Sequence, residues 1–360
     1  MTAPGDHIEI ALDLADGVVA AARIAPRRLP PVAALVVGRP AAELFTVVPL
    51  LFSLCGTAHR IAAQTAVDAA QANKVSPELD RRRRAAVIAE HLAEQLRGVA
   101  MHLRLLDRRS VVGSLRDVIQ ASATFAPAAG VPAFELLRAI ERIEHALERI
   151  GLSDRDADFG FDDVPGGDPF DGSGYLSSRH DREVIARLIA GGRPFANAPT
   201  LEDGVPETGA WARRCVAASC DGLPARVRGG VAVRLKARID EIAGLPARLR
   251  DLVAGSHDLR PPGSDLIGYG LGDGWGASAV ETARGRLYHC VQISADGRVA
   301  RFEFMAPTEW NFHPRGPLVR LLRDRCVGSD PAGRAWVERL ISAFAPCVGH
   351  QVTYREAAHA

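Results

Sequence analysis

Apolar and polar positions alternate from His7 to Ile24, with Ile8, Ile10 and Leu12 before Asp16-Gly17 and Val18, Ala20 and Ala22 after it. A period of two around a dipeptide that tolerates positive φ predicts a β-hairpin. Arg27-Arg28-Leu29-Pro30-Pro31 breaks it, and the pattern then turns helical. His59 to Ala72 is alanine-rich. Ser76-Pro77-Glu78 is a helix start, with a Ser N-cap and Pro in the first turn. The helix it opens carries Ile88, Leu92, Leu96, Val99, Leu103 and Leu106 at spacings of three and four, one apolar stripe. A second stripe runs through Leu137, Ile140, Ile143 and Leu147, and Gly151 closes it as a C-cap. Arg182 to Ala190, Arg226 to Val253, Leu318 to Arg323 and Ala335 to Phe344 also read as helix. Gly285 to Ser294 and Arg298 to Met305 flank Asp296-Gly297 and read as a second hairpin. Two stretches lack periodicity, 152–177 and 259–276, and are expected to be long loops.

Composition narrows the class. The chain has 360 residues, 47% hydrophobic and 24% charged, as in an ordinary globular protein. A net charge of +1 gives no drive towards nucleic acid or an anionic membrane. Only Lys74 and Lys236 are lysines, and the run Arg81 to Arg84 reads as a solvated helix face. No charged n-region followed by a long apolar run opens the chain, and Phe45 to Cys55 is too short to span a bilayer, so a cytoplasmic protein without membrane insertion is expected. Six irregularly spaced cysteines read as reduced thiols. Cys215 and Cys220 are five apart and make no zinc pair. The Asp-rich run from Asp154 to Asp171 does not fit a calcium loop. Gly270 to Gly276 lacks the lysine of a phosphate loop.

Two cysteines share one local frame. Phe52-Ser53-Leu54-Cys55 is followed by His59, and Phe344-Ala345-Pro346-Cys347 by His350. With two further stretches, these frames resemble the large, metal-binding subunit of nickel–iron hydrogenases. Cys55 and His59 have the spacing of the second Cys and the His in that family's C-G-x-C-x-x-x-H. Cys347 and His350 have that of the second Cys and the His in D-P-C-x-x-C-x-x-H. Glu281-Thr282-Ala283-Arg284-Gly285 is similar to E-A-P-R-G, and Pro307-Thr308-Glu309-Trp310-Asn311-Phe312-His313-Pro314-Arg315-Gly316 to P-T-T-W-N-x-x-P-R-D. Four motifs in the family's order cover most of the chain, with only Glu207-Thr208-Gly209-Ala210 supporting the middle. A second register stays open, with Ala345-Pro346-Cys347 on D-P-C. The first keeps the His and removes the same position from both motifs.

The resemblance implies a mostly helical α+β fold, a single large-subunit-like domain over 1–360, with small antiparallel hairpins and the two Cys motifs meeting at its centre. In the family, the first Cys of each motif binds nickel only, and the second also bridges to an iron carrying cyanide and carbon monoxide. Here the nickel-only positions are Phe52 and Phe344. The resemblance therefore implies an Fe(CN)2(CO) fragment on Cys55 and Cys347, with no nickel, since soft thiolates suit such iron. His59 and His350 become outer-shell groups or ligands, and Arg284, Pro307 and Thr308 the pocket for the diatomic ligands. Trp310 and Asn311 are expected to brace the loop. The early R-G-x-E motif, whose Glu relays protons, has no counterpart, and no processing of the short tail is expected.

This pattern resembles the HupK/HoxV group of hydrogenase expression/formation proteins. That implies a non-catalytic scaffold, passing the iron fragment between HypC-type chaperones and an immature hydrogenase large subunit. Two other classes compete: a hydrogenase-like oxidoreductase, and a metal-free relative used only to bind proteins. Buried apolar thiols are the ordinary reading of each Cys taken alone, a reversible Cys55–Cys347 disulfide is a further one, and a surface ion pair with Glu281 is that of Arg284.

Overall fold

A computed structural model describes residues 7–25, 31–126, 130–152, 174–218, 230–255, 265–328 and 330–356. Its strands are β1 (His7–Ala15), β2 (Val18–Ile24), β3 (Leu266–Gly272), β4 (Trp275–Thr282), β5 (Gly285–Ile293), β6 (Val299–Met305) and β7 (Gly349–Glu356). Its helices are α1 (Val32–Val36), α2 (Leu44–Leu50), α3 (Gly56–Ala70), α4 (Pro77–His102), α5 (Arg109–Ala123) and α6 (Ala133–Glu148). They continue with α7 (Asp181–Asn197), α8 (Ala210–Ala218), α9 (Val231–Ala254), α10 (Thr308–Asn311), α11 (Pro317–Leu322) and α12 (Pro331–Ala343). The chain divides into two compact units, each discontinuous in sequence: 1–30 with 160–237 and 305–360, and 31–159 with 238–304.

The first unit is built on a three-stranded sheet of order β2-β1-β7. β1 and β2 form the expected hairpin, with Asp16 (φ 50) and Gly17 (φ 76) at its turn. Ile8, Ile10, Leu12 and Leu14 alternate onto one face, where they pack with Leu318, Leu321 and Leu322 of α11 and Val337, Leu340 and Ile341 of α12. β7 lies parallel to β1, from His7 opposite Gly349 to Leu14 opposite Glu356. α12 starts where its signals say, with Asp330 accepting from Gly333 N at 2.8 Å and Pro331 in the first turn. It stops at Phe344 because Ala345 turns left-handed (φ 52). The short turn that follows carries Cys347 into β7.

The second unit holds α1 to α6, α9 from residue 238 onward, and a four-stranded sheet of order β3-β4-β5-β6. β3–β4 and β4–β5 are antiparallel. α3 lies on this sheet, and small residues on both sides make the approach close. A Cβ on Gly276 would sit 2.2 Å from Ala66 O and 2.3 Å from Ala70 N, and one on Gly268 would sit 3.2 Å from Thr65 Cγ2. Ser278 Oγ donates to Ala62 O at 2.8 Å across the same seam. α4 begins at its Ser76 cap, whose Oγ accepts from Leu79 N at 3.2 Å.

Several expectations are corrected. The stretch 259–276 is not one long loop: Leu266 to Gly272 is β3, and Asp273 (φ 49) with Gly274 (φ 72) is the turn into β4. Of its glycines, which read as irregular, Gly268, Gly270 and Gly276 stand against α3, whereas Gly274 stands against Ile293 O of β5. α4 ends at His102, so Leu103 and Leu106 lie beyond the helix, with Arg104 left-handed at φ 52. α5 and β7 were not anticipated, although Val111, Ser114, Val118 and Ala121 of α5 share a buried face. Of 152–177, only Leu152 and 174–177 are described; the remainder, with Asp154 to Asp171 and also Cys220, lies outside the described residues. Among the described residues, no helix is long and apolar enough to cross a membrane.

Gly276→Ala should cost on the order of 3 kcal/mol, the upper range for overpacking, because its neighbours are backbone atoms. Gly113→Ala in α5, where a Cβ meets nothing within 4 Å, should instead gain about 0.5–1 kcal/mol. Urea denaturation of the two variants checks this; similar midpoints would remove the close-approach account of the sheet.

Candidate metal-fragment site

Each unit carries one of the two cysteine frames. In the second unit, Cys55 is the N-cap residue of α3 (φ −143, ψ 30), and its carbonyl accepts from His59 N at 3.0 Å. The orphan amides of that first turn go to a carboxylate from α4: Glu90 accepts from Thr57 N at 2.7 Å and Ala58 N at 2.9 Å. Burial raises the Glu90 carboxyl above its ordinary range, and the two backbone hydrogen bonds oppose that. A tight cleft here is lined by Cys55, Glu90, His91, Glu94, Thr282 and Arg284. The structure thus brings Arg284 to the cleft of Cys55, two positions 229 residues apart.

Arg284 sits in the turn between β4 and β5, buried, and donates from Nη2 to Glu94 Oε2 at 2.8 Å. The expected rival partner, Glu281, is paired with Arg286 at 3.1 Å. Glu94 also holds Arg97 at 2.8 Å. Beneath lies Arg238, donating to Gln95 Oε1 at 2.8 Å and pushed down to about 10 by burial and then by the neighbouring Arg284 charge. Gln95 in turn reaches Glu241 and Ala283 O, both at 3.0 Å. One side of the cleft is therefore a buried, hydrogen-bonded charge network.

An aromatic cluster forms around His59, one turn along α3 from Cys55. Phe52 stacks on His59, with centroids 3.7 Å apart and planes at 2°, and Phe304 meets both edge-on. His59 Nδ1 lies 2.9 Å from Nε2 of His289 on β5. Burial lowers both imidazoles, His59 well below 6.5 with His289 adding to the effect, and His289 to about 3. His59 is thus bonded to His289, not to the sulfur beside it in sequence.

In the first unit, Cys347 lies in the turn between α12 and β7, and Thr308 Oγ1 donates to its Sγ at 3.2 Å. Pro307 is the N-cap of α10 and Thr308 its first residue. Asn311 braces this short helix as expected: its Nδ2 donates to Thr208 O and its Oδ1 accepts from Thr208 N, each at 3.0 Å. Trp310 is fully buried beside it. His350, on β7, is 2.7 Å from Glu338 on α12, so it too is bonded away from the neighbouring sulfur. Phe344 packs edge-on to Phe312, and the Arg234 guanidinium stands 4.7 Å over its ring. Arg234 forms a buried two-pronged pair with Glu207, at 2.9 and 2.6 Å.

Residues of these surroundings that were not anticipated include Glu90, Glu94, Glu207, Arg234, His289 and Glu338. Glu207 stood in a noticed motif without a role, and His289 on the inward face of a noticed strand. The helix residues carried no signal, because a polar residue on a helix face reads as solvated until its neighbour is known. Cys290 is a buried thiol that desolvation pushes up, and Cys326 an exposed one. Among the described residues, no group of three or more His, Cys, Asp or Glu is placed to hold a metal ion.

The histidine pair has a consequence for stability. The unfolded chain takes up the His289 proton near 6.5 and the folded chain only near 3, so its contribution is full above about 6.5 and is lost as pH falls towards 3. The slope is at most about 1.4 kcal/mol per pH unit per histidine. Denaturant midpoints should therefore fall from pH 6.5 to 5, and His289→Gln should remove roughly half of that fall. Parallel curves for the two proteins would show that the pair is not buried and neutral.

No family model matches the chain. It is 40% identical over 366 aligned positions to the hydrogenase expression/formation protein HupK of Bradyrhizobium diazoefficiens, covering 99% of this chain and 98% of that one. It is 35% identical to the protein of the same name from Rhizobium leguminosarum bv. viciae, covering 90% of each. In fold it is similar to the Ni-Fe-Se hydrogenase from D. vulgaris Hildenborough, with a TM-score of 0.63 at 16% identity, over 92% of this chain and 94% of that one. The expected mostly helical α+β architecture of the nickel–iron hydrogenase large subunit is thus the fold observed. With the relatives aligned over nearly its whole length, the chain belongs to the HupK family of hydrogenase expression/formation proteins.

Proposed function

We propose that this protein is a non-catalytic maturation scaffold, working in the cytoplasm, that holds the Fe(CN)2(CO) fragment as cargo. It would take the fragment from a HypC-type chaperone and pass it to an immature hydrogenase large subunit. Cys55 and Cys347 are the two thiolates of the reading. The observation that carries it is the hydrogen bond from Thr308 to Cys347 Sγ, which joins two residues assigned to one centre on independent motifs. The shared cleft of Cys55 and Arg284 supports it from the other unit.

The residues present fit this cargo. Thiolates are soft donors suited to low-spin iron. Arg284 supplies planar N–H donors fixed by Glu94, as an anionic cyanide nitrogen requires. Thr308 has a single hydroxyl proton, which points at Cys347 here; donating it to a cyanide takes a rotation about its side-chain bond. Pro307 shapes the wall. His59 and His350 are held by His289 and Glu338, which suits an outer-shell role for both. At the positions of the missing thiolates, the Phe52 and Phe344 rings offer a metal no lone pair, and Phe344 lies under a guanidinium. Nickel has no ligand set in this reading.

Infrared spectroscopy with metal analysis tests it, on protein purified without oxygen from cells expressing the maturation machinery. Cyanide and CO stretching bands with iron and without nickel are expected. Nickel with iron would point to an oxidoreductase, and neither bands nor metal to a relative that only binds proteins.

Cys55→Ala and Cys347→Ala should each abolish the bands with the circular dichroism spectrum unchanged; full cargo on the double variant would refute the site. Thr308→Val and Arg284→Gln should weaken retention about 10–100-fold, as outer-shell changes do.

A further inference from the structure

The direction of one hydrogen bond decides what His59 can be. A neutral imidazole has one N–H and one lone pair. If His59 carries its proton on Nδ1, it donates to His289, and its Nε2 lone pair is available to a metal. If His59 accepts at Nδ1, its proton is on Nε2, and it can only donate. Both rings are buried and neutral, and their contact is 2.9 Å between His59 Nδ1 and His289 Nε2.

The far side of His289 distinguishes the two. His289 Nδ1 is buried and has no hydrogen-bond partner among the described residues. Were His289 to accept at Nε2, its own proton would sit on Nδ1, a buried donor with no acceptor. Orphaned buried N–H groups are rare, and leaving one unsatisfied costs about 1–3 kcal/mol. Phe302 stands across from the ring at 5.2 Å and 83°, and an aromatic face is a weak acceptor. In the opposite arrangement, His289 donates from Nε2 and bares only a lone pair, while the outer N–H passes to His59 Nε2, which is not among the buried atoms left without a partner. The Phe52 stack holds His59 from swinging to another partner.

We infer that His289 is a positioning residue that fixes His59 as its Nε2–H tautomer, making His59 a hydrogen-bond donor and excluding it as a metal ligand. What that donor then serves rests on the iron-fragment reading: a proton aimed at the centre draws electron density from the thiolates, whereas a lone pair would add a ligand. The tautomer itself does not depend on that reading.

The test therefore has two arms. In metal-free protein labelled with nitrogen-15 histidine, long-range proton–nitrogen correlation spectra report which nitrogen carries hydrogen, with His59→Gln and His289→Gln providing assignments. His59 should be protonated on Nε2 with a bare Nδ1, and His289 protonated on Nε2. Protonation of His59 on Nδ1 overturns the inference. In cargo-loaded protein, His289→Phe frees the tautomer and should shift the CO band to lower wavenumber, as thiolate donation to iron rises. His289→Gln, whose amide can donate to the same Nδ1, should leave the band near its wild-type position. Equal shifts in both variants would reduce His289 to a packing role and overturn the inference. Loss of bands from every protein, with the expected tautomer in the metal-free spectra, would instead sink the iron reading and leave the assignment of His289 standing.

Discussion

The unit that carries Cys55 depends on the close approach of α3 to its sheet. Backbone atoms of α3 occupy the space where a side chain of Gly276 would stand, and the Thr65 methyl crowds that of Gly268. That approach brings two groups into register. Cys55, at the first turn of α3, comes to the level of the β4–β5 turn, where Arg284 sits. His59, one turn on, comes within hydrogen-bond distance of His289 on β5. A larger residue in the seam would push the helix out, and both relationships would be lost together. Small residues in the strands are thus a geometric requirement of the site, set some distance from it.

Around that seam, several polar groups are held by partners that limit what they can do. Glu90 satisfies the amides at the start of α3, Glu94 holds Arg284, and Gln95 and Glu241 hold the layer below. Breaking one partner of such a buried pair costs more than the pair contributes, because the remaining charge is stranded. In the other unit, the same logic applies to Glu207 and Arg234 over Phe344, and to Asn311 and Thr208 beside Thr308. Arg284 and Thr308 are therefore preorganised by neighbours, and a ligand bound there would be spared the cost of ordering its own pocket.

Much of this was legible in one sequence, and the exceptions share a cause. The Asp16-Gly17 hairpin, the Ser76 cap and the Gly151 stop are local signals, and the structure has each of them. The motifs around Cys55, Arg284, Thr308 and Cys347 marked the candidate residues because their spacing and order resemble a known pattern. β3 was missed because glycine in a strand carries no alternation, and β7 because its partner β1 lies more than 330 residues away. The hydrogen bonds of His59 and His350 were expected near sulfur, yet go to His289 and Glu338, which no spacing connects.

The sequence by itself determined most of the element types, the positions of two cysteines in matched frames, and the family. These are local or pattern properties, carried by side-chain periodicity, caps and motif spacing. The tertiary structure decided which carboxylate holds Arg284, which ring nitrogen of His59 is engaged, and why glycines line a strand. Those are outcomes of packing between segments distant in the chain, where the available partner is fixed by backbone approach and burial, quantities that no local pattern encodes.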